Sequence, residues 1–373
     1  MSGKNSLSKT SGSVPAAVGS PEARLVGIFG SGRNGSTLLM RLLDGSPGLW
    51  VYPAELNYLA AARVFGRTSD ASGFSRWVQS QLEELGRSYL DHLAEPIQTG
   101  RDPVQRIGRE RPSMREALPR FLDAVQWAYD VRVDGGPLLM FKSIEVTRLR
   151  EYERLYPQMR FVHIVRDPAS NYASLKRTDM IIKQKPFWFQ GGDILRMHIE
   201  DRWIPHARFI LAARDLAPGQ HTVVRYEDLC REPARVISGI CGWLGVQSSP
   251  DPVLQTVFGG RRMRGLPDNS SQKGVKTPDR VVADMASAFG YEDVLSLREL
   301  EFIRLRTGCL AQKLGYLAPA RSTARRRAQL ARQWLLPDRW ELMNARPKLQ
   351  LASALARRRW YIYSNLLFGD ADA

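Results

Sequence analysis

Four short, mainly apolar runs along the chain predict buried β-strands. They are "LVGIF", "PLLMFK", "RFVHIVRDP" and "HTVVRYEDL", which begin at positions 25, 137, 160 and 221. Glycines follow the first run and Asp-Pro ends the third, and both signals are typical of the turn that ends a strand. Short apolar runs between such turns are typical of strands that are covered on both faces of a sheet.

Apolar residues three or four positions apart predict helices between and after these strands. This spacing occurs in "STLLMRLLD" (36–44), in 66–134, after Ser170 and in 299–316. Strands that alternate with helices are typical of a mostly parallel sheet with helices on both faces. We therefore expect an α/β fold in three layers, with the 66–134 helices packed over the sheet.

Four polar side chains follow the predicted strands at their carboxyl ends. They are Arg33, Lys142, Arg166 and Tyr226. The carboxyl ends of parallel strands meet at one edge of a sheet, where ligands bind in such folds. Because three of the four side chains are cationic, we expect one composite site for an anion.

The stretch "FGSGRNGSTLL", from position 29, lies between the first strand and the first helix and nearly spells a phosphate-binding loop. A P-loop triphosphatase has lysine where Ser36 stands. The backbone N–H groups of such a loop and the helix dipole suit one phosphate-like group. The lysine contacts the outer phosphates of a triphosphate, so its absence indicates a ligand without that tail. Here Arg33 is the cation of the loop.

Three segments resemble the sulfotransferases that use 3′-phosphoadenosine 5′-phosphosulfate (PAPS). "GSGRNGSTLL" is similar to their 5′-phosphosulfate loop in the arginine-containing form of carbohydrate, tyrosyl-protein and many bacterial members. "VRDPASNYAS" places Ser174 eight residues after Arg166, as in their 3′-phosphate motif. "VVRYEDL" resembles a segment whose tyrosine, here Tyr226, lies near the adenine. The resemblance covers roughly 25–316 and implies a P-loop-like fold and metal-free sulfuryl transfer from PAPS to a hydroxyl.

The resemblance implies a set of cofactor-binding residues. They are Arg33, Asn34, Gly35, Ser36, Thr37, Leu38, Arg166, Ser174, Tyr226 and Lys276. Arg33 would act on the leaving oxygen and the sulfonate, although an ordinary phosphate-binding arginine is the alternative. Leu38 stands where another form of the loop has tryptophan.

Lys142 resembles a family lysine at the reacting centre, and a solvated lysine at a strand end is the alternative. Cytosolic small-molecule members carry a histidine two residues after that lysine, but Ile144 stands there. Glu55 in "YPAELNYL" matches a glutamate that acts as the base in tyrosyl-protein members, and a carboxylate can serve in that way. The alternative for Glu55 is a glutamate at a helix start. Glu145 is the second choice of base, whereas His163 is expected in the core.

The basic stretch "GGRRMRGLPDNSSQKGVK" (259–276) resembles a mobile late loop that closes over the nucleotide in this family. Within it, Ser270 matches a serine that supports the transition state in tyrosyl-protein members, and Lys276 is a candidate ligand. An ordinary solvated loop is the alternative interpretation.

The composition of this chain of 373 residues limits the kinds of partner that it can bind. It has 54 Lys and Arg against 38 Asp and Glu, a formal net charge of +16, which indicates anionic partners. Three cysteines and five histidines show no metal-ligand spacing, so we expect no metal. We see no signal peptide and no membrane span, which predicts a cytoplasmic protein.

We expect a sulfotransferase domain at 23–318, in which the helical insertion 66–134 shapes the acceptor side. It would follow a disordered lead-in (1–22) and precede a basic amphipathic extension (319–373). Residues 320–373 hold eleven basic and four acidic residues, mixed with Trp, Tyr and Leu. That pattern suits peripheral contact with the inner face of an anionic membrane, or packing on the domain or on a second copy in a homodimer. No motif for specific nucleic-acid binding occurs.

Three functions stay open from the sequence. The leading one is a PAPS-dependent sulfotransferase that acts on a hydroxyl of a carbohydrate or glycolipid. The second is a nucleotide kinase or triphosphatase, against which the missing lysine argues. The third is a non-catalytic adaptor that binds a nucleotide or a membrane surface.

Overall fold

The computed structural model of the chain describes residues 21–65, 72–94, 97, 101–107, 112–129, 136–178, 193–217, 219–262, 291 and 294–316. The predictions for 1–20, for the extension 319–373, and for Ser270 and Lys276 concern residues outside those ranges. They therefore stay predictions.

Five parallel strands form a central sheet in the order β2-β3-β1-β4-β5. The strands are β1 (Leu25–Phe29), β2 (Leu49–Glu55), β3 (Leu138–Ser143), β4 (Arg160–Val165) and β5 (His221–Arg225). The strand that enters the glycine-rich loop is thus the middle strand, with β3 on one side and β4 on the other.

Four of these strands were predicted from the sequence, and one was not. β2 was missed, because Pro53 lies within it and proline is normally excluded from the inner strands of a sheet. Its position at the edge of the sheet tolerates the proline. β5 is shorter than predicted, because a helix begins directly after it at Tyr226.

Helices surround the sheet. Those described are α1 (Ser36–Leu43), α2 (Tyr58–Phe65), α3 (Ser72–Ser88), α4 (Pro103–Ile107), α5 (Met114–Ala128), α6 (Leu149–Leu155), α7 (Pro168–Lys176), α8 (Asp193–His198), α9 (Ile204–Leu216), α10 (Tyr226–Arg231), α11 (Pro233–Leu244) and α12 (Leu297–Lys313). A π-helical turn, Ile199–Trp203, lies between α8 and α9. Within the described ranges, no helix is long and apolar enough to span a bilayer.

The two faces of the sheet bury different sets of side chains, because successive residues of a strand point in opposite directions. Leu25 and Phe29 of β1 pack in a cluster with α2, α3, α5 and α6, and Val26 and Ile28 pack in another with α1, α10 and α11. A third cluster joins α7, α9 and α12 beside the end of β4. The predicted three-layer α/β fold is therefore confirmed, as is the packing of the 66–134 helices over the sheet.

A stack of three buried histidines crosses the β4 and β5 region. His163 of β4 lies 3.3 Å from His206 of α9 through Nδ1, and 3.1 Å from His221 of β5 through Nε2. His221 Nε2 in turn lies 3.3 Å from a carboxylate oxygen of Glu153. Burial lowers the pKa of His163 well below its ordinary value and that of His206 to about 3. The prediction that His163 is a core residue is confirmed.

Candidate functional site

The loop between β1 and α1 has an unusual backbone. Gly32, Arg33 and Gly35 adopt φ values of 83°, 57° and 92°, in the left-handed region. Such a conformation is uncommon for arginine and concentrates at functional sites. Gly35 is required, because a Cβ there would lie 2.2 Å from the ring of Tyr226. Loops of this kind direct backbone N–H groups into a concave site that suits an anion.

Asn34 fastens this loop to the sheet. Its buried amide donates to the Ile164 carbonyl of β4 at 2.7 Å, and its Oδ1 accepts the N–H of Ser36 at 3.4 Å. Gly30 must be glycine, because a Cβ there would overlap the Asn34 amide at 1.6 Å. The Asn34 side chain therefore holds the loop, and a contact with a ligand is left to its backbone.

A second anchor of the loop was not found from the sequence. Asn171 of α7 donates to the Gly32 carbonyl at 2.9 Å, and its Oδ1 accepts the Nε2–H of buried His198. Burial lowers the pKa of His198 to about 3, and the nearby charges of Arg202 and Arg33 add to that effect. His198 is thus a neutral imidazole. Its contacts join residues far apart in the chain, so no local pattern could indicate them.

Arg166 lies at the end of β4, against the same loop. It is 7 % exposed, donates to the Arg33 carbonyl at 3.2 Å, and covers the ring of Tyr226 at 4.3 Å. The indole N–H of Trp203 holds its carbonyl at 3.0 Å. No carboxylate of the described ranges pairs with Arg166. A buried guanidinium without a counter-charge is suited to bind an anion.

Lys142 connects the loop to a carboxylate. It is 4 % exposed at the end of β3, donates to Thr37 Oγ1 at 2.9 Å, and lies 3.3 Å from an oxygen of Glu55. Burial lowers the pKa of Lys142, and the Glu55 charge opposes that shift. The alternative that Lys142 is a solvated lysine is therefore wrong.

Glu55 reaches Lys142 because the pairing of β2 with β3 is irregular. Val51 lies opposite Met140, whereas Glu55 lies opposite Lys142, so β2 uses two more residues than β3 over this interval. Glu55 ends a strand, so the alternative of a glutamate at a helix start is wrong. Its side chain remains 35 % exposed and faces both the lysine and solvent.

A model of the sulfotransferase family matches residues 26–250, which is more than half of the chain. The chain belongs to the sulfotransferase family. A search of curated proteins finds no significant match. Three of the predicted site cations of this sulfotransferase, Arg33, Lys142 and Arg166, lie within the matched range.

Solved structures also resemble this chain, and two of them are described as sulfotransferases. The sulfotransferase domain of the Synechococcus PCC 7002 olefin synthase is 20 % identical, with 79 % of this chain and 95 % of that chain covered and a TM-score of 0.46. A sulfotransferase from Mycobacterium avium is 14 % identical, with 81 % and 79 % covered and a TM-score of 0.43. Retinol dehydratase, in complex with androsterone and inactive cofactor PAP, is 14 % identical, with 80 % and 83 % covered and a TM-score of 0.34.

The carboxylate of Glu145, the second choice of base, accepts hydrogen bonds from other parts of the fold of this sulfotransferase. Its carboxylate accepts the N–H groups of Leu59 and Ala60 at the start of α2, at 3.0 and 2.6 Å, and the Tyr152 hydroxyl at 2.6 Å. Arg148 lies 3.5 Å away. Glu145 therefore caps a helix.

The remaining predicted residues differ in setting. Ser36 begins α1, and the partly buried Leu38 packs on the second face of the sheet. Ser174 lies in the second turn of α7 and has no hydrogen bond to Arg166 in the described structure. Tyr226 is nearly buried, with one face covered by Arg166. No cluster with metal-ligand geometry occurs among the described residues.

Proposed function

We propose that this sulfotransferase moves the sulfuryl group of PAPS to an acceptor hydroxyl by in-line transfer. The observation that carries this proposal is the buried Lys142, which joins Thr37 of the loop to the carboxylate of Glu55. The link places a cation between a nucleotide-type anion site and a candidate base. In-line transfer needs those two groups on opposite sides of the reacting centre.

The residues present fit the donor nucleotide. The loop from Arg33 to Thr37 would hold the 5′-phosphosulfate, and Arg166, with Ser174, would hold the 3′-phosphate. The lack of a described carboxylate partner for buried Arg166 supports that assignment, since a phosphate would supply the missing counter-charge. When bound, PAPS supplies the sulfuryl group and a leaving oxygen on its 5′-phosphate.

In this proposal, Lys142 and its neighbouring side chains have different roles in sulfuryl transfer. Lys142 and Arg33 stabilise the negative charge that develops beside the loop, where fixed donors are most effective because they need no reorganisation. Glu55 accepts the proton of the acceptor hydroxyl as the bond to sulfur forms. Its partly exposed side chain leaves room for an acceptor on the solvent side, while Lys142 orients the other oxygen.

We further propose a carbohydrate or glycolipid as the acceptor. The support is the arginine form of the loop, "GSGRNGSTLL", which is similar to that of carbohydrate sulfotransferases. A screen of sugar and glycolipid hydroxyls with radiolabelled PAPS tests this class. Transfer only to peptide tyrosine or to phenols would contradict it.

Calorimetry of nucleotide binding tests the donor assignment. Adenosine 3′,5′-bisphosphate (PAP) is titrated without metal, beside adenosine 5′-phosphate (AMP) and Mg²⁺-ATP. We expect tight binding that requires the 3′-phosphate and weakens in Arg166→Ala. The matched control is Arg235→Ala, an exposed arginine of α11 paired with Glu232. A preference for Mg²⁺-ATP, or equal affinity for PAP and AMP, would favour a kinase or an adaptor.

A further inference from the structure

The π-helical turn Ile199–Trp203 contacts both halves of the proposed donor site. Trp203 holds the carbonyl of Arg166 at 3.0 Å. The preceding residue, Arg202, lies beside Gly32 of the loop, where a Cβ would be 3.9 Å from a guanidinium nitrogen. π-turns are rare and often mark functional sites, because the extra residue redirects neighbouring side chains.

Arg202 is one of several positive charges gathered here. Arg202 and Arg33 both lie close enough to the buried imidazole of His198 to lower its pKa. His198 is neutral, so it adds no charge of its own to this group. In the described structure no carboxylate pairs with Arg202, just as none pairs with Arg166. Like charges in a partly desolvated site repel, and an anion that contacts both would remove that cost.

The position of Arg202 assigns it to one end of the donor. The loop follows the middle strand β1: its later residue Thr37 contacts Lys142 of β3, whereas its earlier residues contact the β4 side. On that side, Arg166 donates to the Arg33 carbonyl and Asn171 to that of Gly32. Gly32 and His198, which lie near Arg202, both contact Asn171 of α7 on the β4 side. Arg202 is thus on the side of the loop that Arg166, the residue proposed for the 3′-phosphate, also contacts.

We propose that Arg202 is a further anion-binding residue that shares the 3′-phosphate of the nucleotide with Arg166. This inference rests on the proposed function, because it deepens the assignment of the same donor site. It adds to the Arg166 and Ser174 pair a third side chain, which comes from the π-turn and has no place in the sequence motif.

The test compares nucleotide affinities of Arg202→Gln, Arg202→Lys and wild type by calorimetry with PAP and with AMP. We expect Arg202→Gln to weaken PAP binding by roughly 10- to 100-fold, as for loss of a charged hydrogen bond, and AMP binding by less than about threefold. Arg202→Lys should recover part of the loss, because it keeps the charge without the planar fork. Arg208→Gln, which removes an exposed arginine of α9, is the control and should match wild type.

A double variant, Arg166→Gln with Arg202→Gln, sharpens the assignment. Two arginines on one phosphate are coupled, so the double variant should lose less affinity for PAP than the product of the two single losses. Independent, multiplying losses would contradict a shared phosphate. Thermal unfolding of each variant without nucleotide shows whether the fold is retained.

Each outcome separates this inference from the proposed function. Equal losses for PAP and AMP, or unchanged affinity for both, overturn the role of Arg202. A lower unfolding temperature with an unchanged ratio of PAP to AMP affinity overturns it too, since Arg202 would then only support the loop. In those cases the proposed function is still supported if wild type prefers PAP to AMP and Arg166→Ala abolishes that preference. A wild type with no preference for PAP overturns both.

Discussion

Two buried polar side chains lie three residues apart, His163 within β4 and Arg166 directly after it, and their surroundings are opposite in kind. His163 lies in a closed series in which each imidazole meets another and the last meets Glu153. Arg166 meets the Arg33 carbonyl and the face of the Tyr226 ring, with no described carboxylate. One strand thus leads from a cluster of neutral imidazoles that contact one another to a buried cation without a described carboxylate partner.

The difference shows how a buried polar group can be assigned. Groups that satisfy one another stabilise the fold and need no ligand. A buried cation that lacks a described counter-charge, such as Arg166, is costly until an anion arrives. The two candidate bases divide in the same way: three donors and an arginine hold Glu145, whereas Glu55 has one lysine, an amide and solvent.

The largest effect is expected at Glu55. Glu55→Gln keeps the size of the side chain but removes the base, so kcat should fall by about 10²- to 10⁴-fold, the usual contribution of general base catalysis. The unfolding temperature should change little, because the side chain is partly exposed. Transfer of radiolabelled sulfate from PAPS to the acceptor found by screening measures kcat. Near-normal turnover would remove Glu55 from the mechanism.

A somewhat smaller loss is expected at Lys142. Lys142→Met keeps a long apolar stem in a buried position but removes the charge beside the loop, so kcat should fall by roughly 10²- to 10³-fold. The KM for PAPS should change less, because the loop backbone and Arg166 remain. Steady-state kinetics separates the two parameters. A raised KM with unchanged kcat would make Lys142 a binding residue only.

The histidine stack should make the fold sensitive to acid. In the folded protein the pKa values of His163 and His206 are lowered, so both imidazoles stay neutral at pH values where they would bind protons in the unfolded chain. The ordinary pKa of histidine is 6.5, so the free energy of unfolding should fall as the pH drops below 6.5 towards about 3. Each such histidine contributes about 1.4 kcal/mol per pH unit in that window. In His206→Gln the slope should be smaller by about that amount. Urea unfolding between pH 7 and 4 measures it, and parallel curves for both proteins would contradict the prediction.

The smallest effect is expected at Glu145, and on stability alone. Glu145→Gln leaves one of the donors at the start of α2 poorly satisfied, so the free energy of unfolding should fall by about 1–3 kcal/mol. The kcat of the folded variant should match wild type, in contrast to Glu55→Gln. A loss of turnover without a loss of stability would reverse the assignment of the two carboxylates.

Local patterns predicted the parts of this molecule that depend on neighbours in sequence. The runs at β1, β3 and β4 and the loop "GSGRNGST" needed only short windows. The rule that carboxyl ends of parallel strands meet placed Lys142 and Arg166 at one edge, as observed. β2 was not predicted from the sequence, because Pro53 and the irregular register of this edge strand do not match the usual strand pattern.

The missed part of the site depends on contacts between distant segments. Gly32, Asn171, His198 and Arg202 are brought together only when α7 and the π-turn pack beside the loop. A single histidine and a single arginine in a helical stretch give no pattern from which that packing follows. Likewise, nothing near Glu145 in the sequence shows that it caps a helix more than eighty residues earlier.

The strand order has a consequence for how such an enzyme can evolve. The residues proposed for the nucleotide follow β1, β4 and β5, while Glu55 ends β2 at the far edge, next to α2, α3 and α5. Among the described residues of the proposed site, Lys142 of β3 lies between the two groups. On the proposed mechanism, we expect mutations in the helices that cover β2 to change the acceptor while the donor site stays intact. For the same reason, a library in α2, α3 and α5 that leaves Glu55 unchanged is the economical route to altered specificity.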